Sequence, residues 1–243
     1  TSDQGEESMT EHEFSTQRPW LKSYDSEVPP SLDYEDIPIF EYLDRAAEEF
    51  PKRTAIIFKN YKIKYAKLKE TCEIIAANLR AHGVSRRDRV SIMLPNLPST
   101  VMAYFGVLKA GAIGVMTNPL YMEKELIHQI QDSGAKYMIV LDHLWPKIRR
   151  LRDRLGIKKF FVVRISDSLK FPLNKLYKIK AKKNKLNLDA PFDGETVFPF
   201  KDLLKLGKGL KPFSVSITNP RDEIALLQYT GGTTGIAKGV MLT

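Results

Sequence analysis

The chain has little of what builds a stapled or metal-centred protein. Its single cysteine, Cys72, cannot form an internal disulfide. Its four histidines, His12, His82, His128 and His143, lie too far apart in sequence to read as a zinc motif. A disulfide-rich secreted domain and a structural zinc protein are therefore both disfavoured. Long hydrophobic runs are also missing. The longest, residues 101–116, is interrupted by Lys109 and falls short of the roughly 20 residues that a membrane span needs. The first 13 residues are polar and acidic, the opposite of a signal peptide. A cytoplasmic protein is the expectation. What is present is a 43% hydrophobic content over 243 residues, enough for a sizeable core, which excludes a wholly disordered chain.

Charge is unevenly placed. The formal net charge is +9, yet residues 1–50 hold 14 acidic and 3 basic side chains. Much of the compensating positive charge sits in residues 164–185. There Arg164 and seven lysines (170, 175, 178, 180, 182, 183, 185) face a single acid, Asp167. An asymmetry of this kind marks either an interaction surface or a solvated face.

After an acidic, turn-rich arm (1–36), a regular alternation begins. Ile39, Leu43, Ala46, Ala47 and Phe50 fit one helical face. Residues 54–58 and 61–65 read as a hairpin turning at Lys59–Asn60. Leu68, Cys72, Ile75, Ala76 and Leu79 repeat at helical spacing, which makes Cys72 a core residue. Strands are expected at 89–94, 112–116, 136–141 and 159–163. Helices are expected at 98–110, 123–132 and 144–155, with Gly111, Gly134 and Gly156 at their ends. This pattern predicts an α/β fold, a mainly parallel sheet with helices on both faces, over 37–163. His128 and His143 read as satisfied structural histidines within it. Residues 164–223 break the rhythm and are read as a basic insertion and connector with some structure of its own. A strand at 223–229 then resumes the alternation, within a last segment, 224–243.

That strand runs into Tyr229-Thr-Gly-Gly-Thr-Thr-Gly-Ile-Ala-Lys-Gly239, eleven residues with four glycines, three threonines and a lysine. Glycines let the backbone approach a ligand, and successive N–H groups in such a turn form an anion-binding concavity. Threonine hydroxyls add donors, and Lys238 adds a point charge suited to phosphate. The residues alone therefore read as a phosphate cradle or as a glycine-rich hairpin turn. They fit neither a Walker A loop nor G-x-G-x-x-G.

The order of these residues closely resembles the phosphate-loop signature of the adenylate-forming, AMP-binding superfamily. Within it, the chain is similar to bacterial-type long-chain fatty acyl-CoA synthetases. The resemblance extends to Arg18-Pro-Trp-Leu-Lys-Ser-Tyr24, Asp88-Arg-Val-Ser-Ile-Met-Leu-Pro-Asn96 and Tyr104-Phe-Gly-Val-Leu-Lys-Ala-Gly-Ala112. It also includes Asn118-Pro-Leu-Tyr121 and Gln131-Asp-Ser-Gly-Ala135. It runs from about residue 18 to the end and is least clear across 164–210.

The resemblance implies the N-terminal part of the adenylate-forming fold. It implies activation of a fatty acid with ATP and Mg²⁺ to an acyl-adenylate, then transfer to coenzyme A. The phosphate contacts it implies are Thr230, Gly231, Gly232, Thr233, Thr234, Gly235, Lys238 and Gly239. Tyr229 leads into the loop as a packing residue or a contact. Family members are more than twice as long, and their adenine and ribose contacts, hinge and catalytic lysine follow the loop. No catalytic or resident metal residue is thus expected here, and the chain alone is expected to lack ligase activity. An adenylating enzyme for another carboxylic acid, and a non-catalytic half-enzyme that binds nucleotide or lipid, are the rival readings.

Between Leu169 and Ile179 apolar residues interleave with Lys170, Lys175 and Lys178. A solvated insertion and a basic amphipathic contact with an anionic membrane surface, through 164–185, both fit. No nucleic-acid partner is expected, since no recognised binding fold accompanies the lysines.

Overall fold

The computed structural model describes residues 18–183, 192–231 and 237–243. The chain divides into two compact units, Thr1–Asp36 and Ile37–Thr243. Among the described residues of the first, a 3-10 turn at Pro19–Ser23 is the regular element, and none of its residues is buried.

The second unit begins with helix α1 (Ile39–Glu49) and the hairpin of β1 (Thr54–Phe58) and β2 (Tyr61–Lys64). Lys59 takes positive φ at the tight turn between these strands. Then helices and strands alternate. Helix α2 (Tyr65–Ala81) leads to β3 (Arg89–Met93), and α3 (Pro98–Lys109) to β4 (Ile113–Met116). Helix α4 (Glu123–Ser133) leads to β5 (Tyr137–Leu141), and α5 (Trp145–Leu155) to β6 (Lys159–Val163). Between β6 and the final strands lie α6 (Leu173–Lys183), β7 (Val197–Pro199) and the single turn α7 (Phe200–Leu203). The chain closes with β8 (Leu226–Thr230) and β9 (Lys238–Leu242).

Among the described residues, seven strands form one sheet in the order β7-β6-β5-β3-β4-β8-β9. Every pairing is parallel except β8 with β9. Both faces are covered, as a parallel sheet requires. The alternation is explicit in β5 and β6. Tyr137, Ile139, Leu141, Phe161 and Val163 pack on one side with residues of α1, α2, α3 and α7. Met138, Val140, Phe160 and Val162 pack on the other with residues of α4 and α5. Cys72 lies fully buried in the first of these cores. Burial pushes its thiol pKa well up, so it stays a neutral packing group.

Three elements depart from expectation. In α1 the buried face is Phe40, Leu43 and Ala47, while Ile39 is exposed. The 40/43/47 spacing turns that face towards α2 and α3. β7 was not anticipated. Its three residues end in proline, tolerable because β7 pairs only along one edge, with β6. The last parallel strand begins at Leu226 rather than 223, because Pro220–Asp222 forms a 3-10 turn first.

Helices α2 and α3 approach closely at Gly106. A Cβ there would lie 2.5 Å from Ile75 Cγ2. Beside this contact, Lys109 ends α3 with its side chain 0% exposed. Its ammonium sits 2.6 Å from both carboxylate oxygens of Asp44 and 3.6 Å from Glu73. It also lies 5.2 Å from the Phe40 ring centroid. The lysine that interrupts the apolar stretch is thus the ionic tie between α1, α2 and α3. A charge left alone in such a site is costly, whereas carboxylates at its rim can take up water. Asp44→Ala is expected to lower the unfolding free energy by about 3 kcal/mol, and Lys109→Met by clearly less. Urea denaturation of the two variants checks this; an equal loss would remove the asymmetry.

Candidate phosphate-binding hairpin

β8 carries the glycine-rich segment to the carboxyl edge of the parallel sheet, where open α/β sheets bind their ligands. It is fixed on one side by β4, in the register Gly114↔Leu226, Val115↔Leu227 and Met116↔Gln228. On the other side it turns back into β9, with Tyr229 opposite Gly239 and Thr230 opposite Lys238. Residues 231–237 join the two arms. Gly232, Thr233, Thr234 and Gly235 lie outside the described residues. Thr230, Gly231 and Lys238 are exposed at the mouth of the hairpin. Gly239 is half-buried one residue further along.

Tyr229 is a packing residue. It is buried, and its hydroxyl donates to Asp132 Oδ2 on α4 at 2.5 Å. Burial, then the Asp132 carboxylate, pushes its phenol pKa well up. It therefore stays protonated and acts as an anchor. Its ring also explains Gly239. A Cβ at 239 would meet ring atoms of Tyr229 at 3.0 Å. The glycine thus leaves room for the cross-strand aromatic ring on the ladder itself.

Two of the histidines fall where the sequence reading put them, as satisfied structural groups. His128 Nε2 lies 3.0 Å from the Ala237 carbonyl, and His143 Nε2 lies 2.9 Å from the Tyr177 hydroxyl. What the sequence reading did not find is Asp132 and Gln129. Gln129 is buried and donates to the Met116 carbonyl at 2.9 Å. The available signal was the spacing 128, 129, 132, which shares one face of α4. Lys147 of α5 donates to the carbonyl of Tyr121, on the adjoining loop, at 2.7 Å, and burial depresses its pKa. Lys147 is thus held to that carbonyl, and Lys238 is the exposed cation of the hairpin.

The arrangement suits an anion. Thr230 and Lys238, paired and exposed at the facing ends of β8 and β9, offer a hydroxyl and an ammonium at the carboxyl edge of the sheet. Among the described residues, no group of three or more His, Cys, Asp or Glu converges on a metal position. A separate cavity of about 50 Å³, lined by Ser99, Met102, Val163, Arg164, Ser168 and Phe200 among others, includes no hairpin residue. It is too small for a nucleotide.

Residues 43–243 match the family model for the AMP-binding enzyme. The chain belongs to the AMP-binding enzyme family. It is 38% identical over 229 residues to a long-chain-fatty-acid–CoA ligase of Bacillus subtilis, covering 94% of this chain and 40% of that protein. A long-chain-fatty-acid–CoA ligase of Haemophilus influenzae is 35% identical, with 92% of this chain and 40% of the relative covered. Among solved structures, a long-chain-fatty-acid–CoA ligase from Archaeoglobus fulgidus superimposes with a TM-score of 0.67 at 26% identity. That match covers 88% of this chain and 38% of the other. The chain thus spans about 40% of the length of the curated relatives it matches.

The Tyr229–Gly239 contact makes a direct prediction. Gly239→Ala should destabilise the fold by about 1–3 kcal/mol, the usual range for overpacking. A Tyr229→Leu background should relieve most of that loss. Thermal unfolding of the single and double variants measures it, and strictly additive effects would contradict the contact.

Proposed function

We propose that this chain is the N-terminal part of an AMP-forming long-chain fatty acid–CoA ligase and that its β8–β9 hairpin holds the phosphates of ATP. The observation that carries the reading is the residue sequence of 229–239, whose flanking strands β8 and β9 lie at the edge of the sheet, in a member of the AMP-binding family. The proposed phosphate contacts are Thr230, Gly231, Gly232, Thr233, Thr234, Gly235, Lys238 and Gly239, the last through its backbone.

In this reaction a fatty acid carboxylate oxygen bonds to the α-phosphorus of ATP, and the bond from that phosphorus to pyrophosphate breaks. Charge accumulates on the departing pyrophosphate. In this reading the backbone N–H groups of the loop and the Lys238 ammonium neutralise it, the form of stabilisation that contributes most to such steps. Mg²⁺ enters this reading as the counter-ion of ATP rather than as a resident metal. In the second step the sulfur of coenzyme A bonds to the acyl carbon, AMP leaves, and the thiol proton passes to solvent or a base. No residue of this chain is assigned to that step.

Carboxylate-dependent ATP–pyrophosphate exchange by the full-length protein tests the reading. Exchange with long-chain acids is expected. Lys238→Ala is expected to reduce it by roughly a hundredfold, as losing one preorganised charge donor does. Exchange with aryl or short acids alone would assign a different substrate. Tight ATP binding without exchange would indicate a binding module. The 243-residue chain by itself is expected to form no acyl-CoA.

The same reading places the protein in the cytoplasm, at the inner face of the membrane from which its substrate partitions. The basis is α6. Tyr177 and Ala181 turn inward, Tyr177 to His143. Outward face Leu176 and Ile179, exposed at 55% and 66%, and Phe171, two residues before the helix, is exposed at 70%. Exposed Lys175, Lys180 and Lys183 accompany them. Among the described residues no helix is long and apolar enough to cross a membrane. A shallow contact combines apolar insertion with about 1 kcal/mol per lysine near an anionic surface. Co-sedimentation with phosphatidylglycerol vesicles should be lost at high salt and in Leu176→Asp/Ile179→Asp. Binding indifferent to both changes would sink the membrane contact.

A further inference from the structure

We infer that α4 is the positioning element of the phosphate hairpin, with His128 and Asp132 as positioning residues that set the spacing of its two arms. This rests on the reading of the hairpin as a nucleotide site. The two side chains are four residues apart and so share one helix face. They reach opposite arms of the same turn. Asp132 accepts from Tyr229, the penultimate residue of β8, at 2.5 Å. His128 meets the carbonyl of Ala237, the residue just before β9, at 3.0 Å. A carbonyl oxygen only accepts, so Nε2 of His128 carries the proton.

Gln129 completes the grip. Its side-chain N–H donates to the Met116 carbonyl at the carboxyl end of β4. Three neighbouring side chains of one helix therefore hold the ends of β4, β8 and β9, the three strands that converge on the turn. The Oε1 of Gln129 is buried and has no hydrogen-bond partner among the described residues. An acceptor thus stays open on the same helix face.

The physical consequence concerns the anion. A cradle of N–H dipoles binds phosphate only if its donors point inward at hydrogen-bond distance. The ladder Thr230↔Lys238 fixes the hairpin at its last pair. Beyond that pair, the described side-chain tie from outside the hairpin is that of His128 to Ala237, while Asp132 holds Tyr229 one residue inside it. Gly239 leaves room for the Tyr229 ring, so Asp132 can hold that ring without forcing the strands apart. A histidine that served stability alone would not distinguish ATP from the other substrates. A positioning residue would, because a misplacement of about 1 Å at a reacting group costs on the order of a hundredfold.

The test uses the full-length protein with four substitutions. His128→Leu removes the donor, and His128→Gln keeps an N–H of similar reach. Asp132→Ala removes the acceptor, and Asp132→Asn keeps an acceptor oxygen. His128→Leu should raise KM for ATP roughly tenfold, with KM for coenzyme A and fatty acid within about twofold. His128→Gln should restore most of the ATP affinity. Amide hydrogen exchange across residues 226–242 should quicken in His128→Leu and in Asp132→Ala, and stay slow in His128→Gln and Asp132→Asn. Unchanged exchange in the donor and acceptor deletions, or three KM values that move together, would overturn the assignment. A wild-type protein inactive with ATP and every acid would overturn the proposed function instead, and the exchange measurement would still decide the role of α4.

Discussion

The parallel ladder between β4 and β8 is the contact on which the functional end of the molecule depends. It joins residues 114–116 to 226–228, across more than a hundred residues of chain. Closing so long a loop is entropically costly, and it succeeds because β4 is buried and has a vacant edge once β3 has taken the other. Its side-chain-free residue, Gly114, lies against Leu226, where a Cβ would stand 3.1 Å from the leucine methyl. From this ladder follow the direction of β8, the position of its carboxyl end, and hence the place of Lys238 of β9, paired with Thr230.

Around that ladder, polar groups do the aligning and apolar groups the holding. Lys109 binds three helices on one face through a buried ion pair. On the other face, α4 sends hydrogen bonds to strand ends while Leu126, Ile127 and Ile130 bury against the sheet. One helix thus has two duties. Its apolar stripe seats it, and its polar stripe at 128, 129 and 132 orients what lies beside it. The net charge of +9 has little part in this. It reflects the excess of lysine near α6, while the acidic lead opposes it.

Much of the architecture was legible in the sequence, because period and punctuation agree. The α4 and α5 patterns stop at Gly134 and Gly156, and both glycines adopt the left-handed conformation that such endings need. The strands β3, β5 and β6 were legible for a similar reason: short β-branched and aromatic runs lie between those stops. β7 was not legible, since three residues ending in Pro199 carry no period and become a strand only because β6 has a free edge. Nor was the register of α1, where an apolar Ile39 beside an apolar Phe40 let either begin the buried face. The loop could be read from the order of its glycines and threonines. Its supports could not, because Asp132 and Tyr229 are 97 residues apart.

The sequence by itself determined the α/β alternation, the burial of Cys72 and the glycine- and threonine-rich order of residues 229–239. Each of these is local, written in spacing or composition within a dozen residues. The tertiary structure alone decided that Lys109 is a buried ionic tie rather than an interruption. It alone decided that Gly239 makes room for an aromatic ring and that α4 faces the hairpin. These depend on which distant segments meet, and no local pattern encodes a meeting that only chain closure brings about.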